Sequence, residues 1–238
     1  MSTPAPAAAA AGWLALVATP IGNLEDITYR AVRILREAEV IAAEDTRRAR
    51  ILLQHYGIDH PLTSYHSFNE HHKTAQLIEQ VRQGRKLAVL SDAGTPCLND
   101  PGYLLVRDAL AAGLEPLVIP GVSALTHAVV AAGLPMSTFV FGGFLPVKPG
   151  RRRTRLRELT AGQATLILYE SPFRINRLLS ELAEVLGGET PVALLREATK
   201  LHEECLRGSA AELLAKHGQR TWKGEFTVVV WLRALSDG

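Results

Sequence analysis

The chain has 238 residues, of which 47% are hydrophobic and 21% are charged, and its formal net charge is +2. This composition is typical of a globular protein that can form one large domain or two small ones, and it excludes a disordered or fibrous chain. Two cysteines, Cys97 and Cys205, are too few for a disulfide framework. We expect free thiols, a cytoplasmic location and no membrane span, because no apolar run reaches the roughly 20 residues that a bilayer requires.

The chain opens with an uncharged Ala/Pro-rich segment, "MSTPAPAAAAAG", which covers residues 1–12. It lacks the basic leading region of a secretory signal peptide, so we expect a disordered tail. The segments that follow alternate between predicted strands and predicted helices. Nine are apolar and β-branched, as strands are: "WLALVAT", "EVIAAED", "LTSYH", "KLAVLSD", "EPLVIPG", "TFVFGGFLP", "ATLILYES", "PVALLRE" and "FTVVVWL".

Helical periodicity lies between most of these strands. The helical segments are residues 25–38, 47–56, 74–83, 103–112 and 173–186. Strands that alternate with helices predict α/β domains with mostly parallel sheets. About five strands precede Gly121 and about four follow it, which predicts an N-terminal domain over residues 13–120 and a C-terminal domain over residues 121–238. The second sheet is expected to be mixed, because "ATKLHEECLRG" is polar and extended, and "FLPVKPGRRR" is the one expected mobile insertion.

The five strands of the first domain each end in a loop rich in polar and small residues: "ATPIGNLED", "AAEDTR", "SYHSFNE", "LSDAGTP" and "IPGVSA". In a parallel sheet these loops leave from one edge, where ligands bind. Gly, Pro, Asn and Asp are also what turns require, so one such loop would indicate little. Five together predict a site. Its candidate residues are Pro20, Gly22, Asn23, Glu44, Asp45, His66, Asn69, Asp92, Thr95 and Ser123.

The chemistry of these loops restricts the ligand. Neither GxxxxGK[ST] nor GxGxxG is present, so the usual cradles for a triphosphate or a pyrophosphate are missing. Carboxylates, hydroxyls and small residues suit an uncharged nucleoside that carries an ammonium or sulfonium group. S-adenosylmethionine has those parts and no phosphate. No metal is expected, because the spacing of His66, His71 and His72 matches no zinc motif.

Seven segments in order carry a resemblance to a known family: "VATPIGNLEDIT", "AEDTR", "SYHSFNE", "LSDAGTPCLNDPG", "PGVSA", "FGGFLP" and "REATKLHEECLRG". The chain resembles the tetrapyrrole methylase superfamily and, within it, the ribosomal RNA small subunit methyltransferase I family. That family methylates a ribose 2′-hydroxyl of a decoding-centre cytidine in 16S rRNA. One departure is Phe68, where the family commonly has a second histidine.

The resemblance implies a homodimer of two-domain subunits with S-adenosylmethionine in the cleft between the domains. It also implies which residues contact the cofactor: Pro20, Leu90, Asp92, Gly94, Thr95, Val122, Ser123, Ala124 and Tyr169. The implied substrate is 16S rRNA within the 30S subunit.

A concentrated basic segment, "VKPGRRRTRLRE", supports a nucleic-acid partner. It carries six positive charges while the whole chain carries only +2, so the remainder sums to 2 − 6 = −4. A charge run can be merely a solvated helix face, but this one follows a Pro/Gly hinge near the predicted site, and we expect contacts to phosphates. The predicted RNA-binding residues are Arg47, Lys148, Arg151, Arg152, Arg153 and Arg155.

Glu44 and Asp45 are the candidate catalytic residues, as general base or ribose anchor, because they end a strand that should face the site. An acidic residue in a first helical turn can also serve only the helix dipole. Lys200 and Glu170 are the next candidates for the base. Two other functions stay open: carbon methylation of a tetrapyrrole, and a non-catalytic RNA-binding role on the ribosome.

Overall fold

The structure is a computed structural model that describes residues 12–162 and 164–232. The predicted disordered tail lies outside the described residues, apart from Gly12. The chain divides into two compact units, of which the first ends at Ser123 and the second begins at Ala124. Both cysteines are free thiols.

The first unit contains a five-stranded sheet of order β3-β2-β4-β1-β5, in which every neighbouring pair is parallel. Its strands are β1 (Trp13–Val17), β2 (Val40–Ala43), β3 (Leu62–Ser64), β4 (Lys86–Leu90) and β5 (Leu117–Ile119). Its helices are α1 (Tyr29–Glu37), α2 (Thr46–His55), α3 (Glu70–Arg82) and α4 (Tyr103–Ala111), and a short 3-10 turn covers Leu24–Asp26. All five strands therefore end at the same edge.

Alternating side chains of this sheet are buried on its two faces. Ala15 and Val17 of β1 belong to a core that also contains Ile34 and Leu35 of α1. Leu14 and Leu16 belong to a core on the other face, which includes residues of α3 and α4. A strand buried on both faces is nearly all apolar, as parallel sheets covered by helices require. The two layers of helices leave the carboxyl edge of the sheet to the loops.

The second unit contains a mixed sheet of order β6-β7-β10-β8-β9. Its strands are β6 (Phe139–Phe144), β7 (Thr165–Glu170), β8 (Pro191–Arg196), β9 (Glu204–Ser209) and β10 (Phe226–Val230). Only β6 and β7 are paired parallel, and the other three pairs are antiparallel. Its helices are α5 (Ala124–Ala131), α6 (Pro149–Thr160), α7 (Ile175–Leu186) and α8 (Ala210–His217). One face of the sheet packs on α6, α7 and α8, and the other packs on α5.

The predicted fold class is confirmed: two α/β units, the first sheet parallel and the second mixed. Local boundaries differ. The predicted helix over residues 25–38 begins only at Tyr29, because the Thr28 hydroxyl accepts a hydrogen bond from the Ala31 amide and caps the helix there. The segment predicted as a mobile insertion instead completes β6 and forms α6. None of the described helices is long and apolar enough to cross a membrane.

Candidate active site

The loops at the carboxyl edge of the first sheet are tied to one another by hydrogen bonds. Thr19, after β1, exchanges two backbone hydrogen bonds with Gly94, after β4, at 2.9 and 3.0 Å. The Ser91 hydroxyl also donates to the Gly94 carbonyl at 3.1 Å. The amide of Asp45, after β2, donates to the Asp92 carboxylate at 2.8 Å. The exits of three neighbouring strands thus form one structured surface, as the sequence predicted.

A cavity of about 490 Å³ opens at this edge, within the usual range of about 300 to 1,000 Å³ for small-molecule sites. Three strand exits line it: Glu44 after β2, Ser67 with Glu70 and His71 after β3, and residues 99–104 after β4. Two of its three carboxyl groups, those of Glu44 and Asp100, therefore reach one cavity from different loops.

Both carboxyl groups bind protons more readily than ordinary carboxyls do. Burial, followed by the negative charge of Asp92, raises the pKa of Glu44, while His66 and Arg48 oppose the change. Burial raises the pKa of Asp100 to about 7, and the charges of Glu44 and Asp92 add to the effect. Strongly perturbed groups in a cavity are candidates for acid–base chemistry.

Asp45 has a different environment. Its carboxylate accepts a hydrogen bond from the Arg47 amide at the start of α2, and two more from the Arg47 guanidinium at 3.1 and 2.8 Å. These bonds lower the pKa of Asp45 to about 2. A carboxylate so weakly basic is poorly suited to remove a proton. The structure therefore favours Asp45 as the residue that caps α2 and holds Arg47, rather than as a base.

The family model for Tetrapyrrole (Corrin/Porphyrin) Methylases matches residues 14–214. The ribosomal RNA small subunit methyltransferase I of Halalkalibacterium halodurans is 47% identical over 92% of this chain and 75% of its own length. The protein of the same name from Xylella fastidiosa is 45% identical over 100% of this chain and 85% of its own length.

The chain belongs to the ribosomal RNA small subunit methyltransferase I family of tetrapyrrole methylases.

Solved structures agree with the fold of this family. The uroporphyrin-III-C-methyltransferase of Thermus thermophilus has 26% identity and a TM-score of 0.64, over 92% of this chain and 94% of its own. A structure of the uroporphyrin-III C-methyltransferase from that organism in complex with S-adenosylhomocysteine has 20% identity and a TM-score of 0.65, over 92% of this chain and 97% of its own. The second likeness concerns the fold alone.

The residues predicted to contact the cofactor are brought together in part. Gly94 adopts a φ of +81°, and a Cβ there would lie 3.3 Å from the Ile21 side chain and 3.7 Å from the Val122 carbonyl oxygen. Ser123 also borders this position. The β4 loop therefore packs against the β1 and β5 exits closely enough to favour glycine.

The other predicted cofactor residues differ in environment. The side chains of Pro20 and Leu90 are buried, so these two residues can offer a ligand mainly their backbone. Thr95 is half-buried. Ala124 begins α5, and Tyr169 packs against Phe141 and Phe144 in the second unit. Contacts of these residues with a cofactor stay predictions.

The arginine-rich segment of this family member forms α6, and one of its predicted RNA-binding residues must be corrected. The Arg152 side chain is entirely buried, where it donates to Glu170 at 2.9 Å and to Glu181 at 2.8 Å. Burial alone would lower the pKa of Arg152, but the hydrogen bonds to these carboxylates raise it above its usual value, so the residue stays charged. Arg152 anchors α6 and is not available to RNA.

The remaining basic residues of α6 lie at the surface. Arg153 is 3.7 Å from Glu184, and Arg155 pairs with Glu158 at 3.0 Å. Within the described parts of the chain, Lys148 and Arg151 are exposed and make no ion pair. These two are the most available cations of the predicted RNA-binding set.

The two fallback candidates for the catalytic base are also occupied elsewhere. Glu170 is buried between Arg152 and Arg174. Lys200 pairs with Glu197 and Glu225, and although burial would lower its pKa, these hydrogen bonds raise it. The protonated Lys200 ammonium has no lone pair to accept a proton, and the Glu170 carboxylate is held by two arginines. Neither residue is therefore suited to be the catalytic base.

Sequence reasoning missed Asp100. It stands in the quoted segment "LSDAGTPCLNDPG", but an aspartate before Pro-Gly is also a common turn residue. The signal that could have found it is its position near the end of the long β4 exit, residues 91–102, where a carboxylate can be carried back towards the Glu44 loop. Nothing in the local sequence shows that this loop runs back towards the residues that follow β2.

Proposed function

We propose that this protein transfers a methyl group from S-adenosylmethionine to the ribose 2′-hydroxyl of a cytidine in the decoding centre of 16S rRNA. The observation that carries the proposal is the 47% identity, over 92% of the chain, to a protein named ribosomal RNA small subunit methyltransferase I. The carboxylate-lined cavity at the strand edge supports a reaction that needs a proton acceptor.

The residues present fit the proposed cofactor. Asp92 offers a carboxylate at the β4 exit, and although it already accepts from the Asp45 amide and lies 3.5 Å from Arg48, a carboxylate has about four acceptor positions. Nδ1 of His66 is buried and has no hydrogen-bond partner within the described residues. Such an atom is normally satisfied by water or by a ligand. When bound, S-adenosylmethionine supplies an activated methyl group.

The chain's own task is then to position the nucleophile and to accept its proton. Holding reactants in a near-attack geometry contributes several kcal/mol, on the order of 7 to 11 in the best cases. Glu44 lies at the cavity, where it can anchor a ribose hydroxyl. Arg47 is exposed and fixed by Asp45, so it presents an oriented guanidinium to an adjoining phosphate. Lys148 and Arg151 add cations on the second unit.

The assembled 30S subunit is the proposed substrate because the basic segment, residues 148–157, contains no aromatic side chain that could stack the bases of a free single strand. The homodimer and the cytoplasmic location expected from the sequence stay predictions.

Methylation mapping tests the proposal. Purified protein, S-adenosylmethionine and 30S subunits from cells that lack the protein should give one cytidine whose 3′ linkage resists alkaline cleavage, since a methylated 2′-oxygen cannot attack the phosphate. The same cytidine should be unmethylated in rRNA from those cells. Methyl transfer to a base atom, or no transfer to any rRNA, would contradict the proposal.

Carbon methylation of a tetrapyrrole is the second candidate, favoured by the 26% identity to a uroporphyrin-III-C-methyltransferase. That identity is lower than the 43 to 48% found for ribosomal RNA methyltransferases. Incubation with S-adenosylmethionine and uroporphyrinogen III separates the two, because only a tetrapyrrole methylase would give a methylated macrocycle.

A further inference from the structure

The loop between β4 and α4 carries a carboxylate into the cavity in an unusual way. Cys97 and Asn99 adopt φ values of +70° and +67°, which are rare for residues with a side chain. Gly102 follows with a φ of +131°, and a Cβ there would lie 2.7 Å from Cys97 Sγ. Backbone strain of this kind persists where the surrounding structure imposes it, often at functional sites. Asp100 lies in the middle of this strained segment.

The ionisable groups around Asp100 are mostly acidic, and His71 is the exception among the residues that line the cavity. Glu44 and Asp92 act on it from the exits of β2 and β4, and Glu70 with His71 lines the same cavity from α3. Cys97, whose own pKa is raised by burial, lies on the same loop, and Tyr103 borders the cavity from α4. No guanidinium or ammonium group is among the residues that line the cavity in the described structure.

Glu44 differs from Asp100 in this respect. His66 and Arg48 place positive charge near Glu44 and favour its ionised form. The charges that act on Asp100 are all negative. Asp100 therefore lacks the nearby cations that favour the ionised form of Glu44, and burial raises its pKa to about 7. A base whose pKa is close to the working pH is the most effective one.

We propose that Asp100 is the general base of the methyl transfer, and that Glu44 is a positioning residue that acts on Asp100 through its charge. This inference rests on the proposed function. In the step, the O–H bond of the ribose 2′-hydroxyl breaks and its proton passes to the Asp100 carboxylate. The oxygen lone pair forms the bond to the methyl carbon, the carbon–sulfur bond breaks, and its electron pair stays on sulfur as a neutral thioether. Asp100 then releases the proton to solvent.

The free protein provides the first test, which needs neither cofactor nor RNA. With aspartate labelled with ¹³C at the side-chain carboxyl, NMR should detect one group that titrates near pH 7, as the pKa of Asp100 is raised to about 7. Asp100→Asn should remove that signal. Glu44→Gln should move the midpoint to lower pH, because the ionised form of Asp100 loses a like charge beside it.

Single-turnover kinetics on 30S subunits provide the second test. The wild-type rate should rise with pH and level off above about pH 7, where the base is ionised. Asp100→Asn should lower the plateau at least about a hundredfold and abolish the rise. Glu44→Gln should shift the rise to lower pH; the midpoint of the rise, and not the height of the plateau, is the readout for this variant, because Glu44 itself lines the cavity. Asp108→Asn is the matched control, because Asp108 pairs with Arg107 on α4 outside the cavity, and its profile should equal that of the wild type.

The outcomes are distinct. If wild-type protein transfers no methyl group to 30S subunits, the proposed function is wrong, and the base assignment is wrong with it. If wild type is active and Asp100→Asn keeps the rate and its rise with pH, only the base assignment is wrong. Should Asp100→Asn fail to fold, Glu44→Gln decides: an unchanged NMR midpoint together with an unchanged rate profile overturns the assignment.

Discussion

Replacing Arg152 by alanine is expected to destabilise the second unit severely, although the residue stands in a run of otherwise exposed arginines. Its guanidinium lies between two carboxylates whose side chains are 0% and 7% exposed, those of Glu170 and Glu181. Removing the cation leaves both acids with fewer partners in a region that water does not reach.

The remaining partners set the magnitude. Glu170 keeps its contacts with Arg174 at 2.6 Å and with the Ser171 amide at 2.8 Å, and Glu181 keeps Arg177 at 3.1 Å. Each carboxylate thus loses one charge-assisted hydrogen bond, worth about 1.5 to 3 kcal/mol. Breaking a buried ion pair by removing one member costs about 3 to 5 kcal/mol. We expect a loss in that range from the free energy of unfolding.

Urea denaturation followed by tryptophan fluorescence measures the effect, because Trp222 is buried in the core of the second unit. With a slope of about 2 kcal/mol per molar urea, the midpoint should fall by about 2 M. Arg151→Ala, one residue away on the exposed face, is the control and should change stability by less than about 0.5 kcal/mol. Adding Glu181→Gln to Arg152→Ala should recover part of the loss, since the neutral amide removes one of the two buried charges that have lost their contact with Arg152.

A change below about 0.5 kcal/mol for Arg152→Ala would refute the buried network. A flatter salt dependence of RNA binding in that variant, with stability unchanged, would return Arg152 to the RNA-binding set.

Three other predictions concern binding and pH. Changing Lys148, Arg151 and Arg155 together to alanine should reduce the slope of log K for rRNA against log salt by about 2, because each lost phosphate contact removes about 0.7 from that slope. An unchanged slope in filter binding would indicate that these residues form only a solvated face. Asp92→Ala should weaken S-adenosylmethionine binding by about ten- to a hundredfold in calorimetry, and wild-type affinity would remove Asp92 from the cofactor site. Asp45, with its pKa lowered to about 2, stabilises the fold above its unfolded pKa of about 4 and loses that contribution as pH falls towards 2. Acid titration of Asp45→Asn beside wild type should therefore show a stability difference that is constant above about pH 4 and disappears as the pH falls towards about 2.

Parts of the site could be predicted because they depend on chain order. Parallel strands end at one edge, so the sequence placed Asp45 and Asp92 near each other, and their 2.8 Å hydrogen bond agrees. The roles within that edge could not be predicted in the same way. Glu44 and Asp45 are neighbours in sequence, yet burial raises the pKa of one while hydrogen bonds from Arg47 lower that of the other.

The sequence by itself determined the order of strands and helices in the first unit, the loops that form the candidate site and the family, because periodicity and local motifs are properties of neighbouring residues. Only the tertiary structure decided which arginine of α6 is buried, since the partners of Arg152 are 18 and 29 residues away in the chain. It likewise decided that the strained loop before α4 brings Asp100 into the cavity with Glu44. Charge, burial and hydrogen bonding act through space, so the chemistry of an ionisable group depends on neighbours that the local sequence does not show.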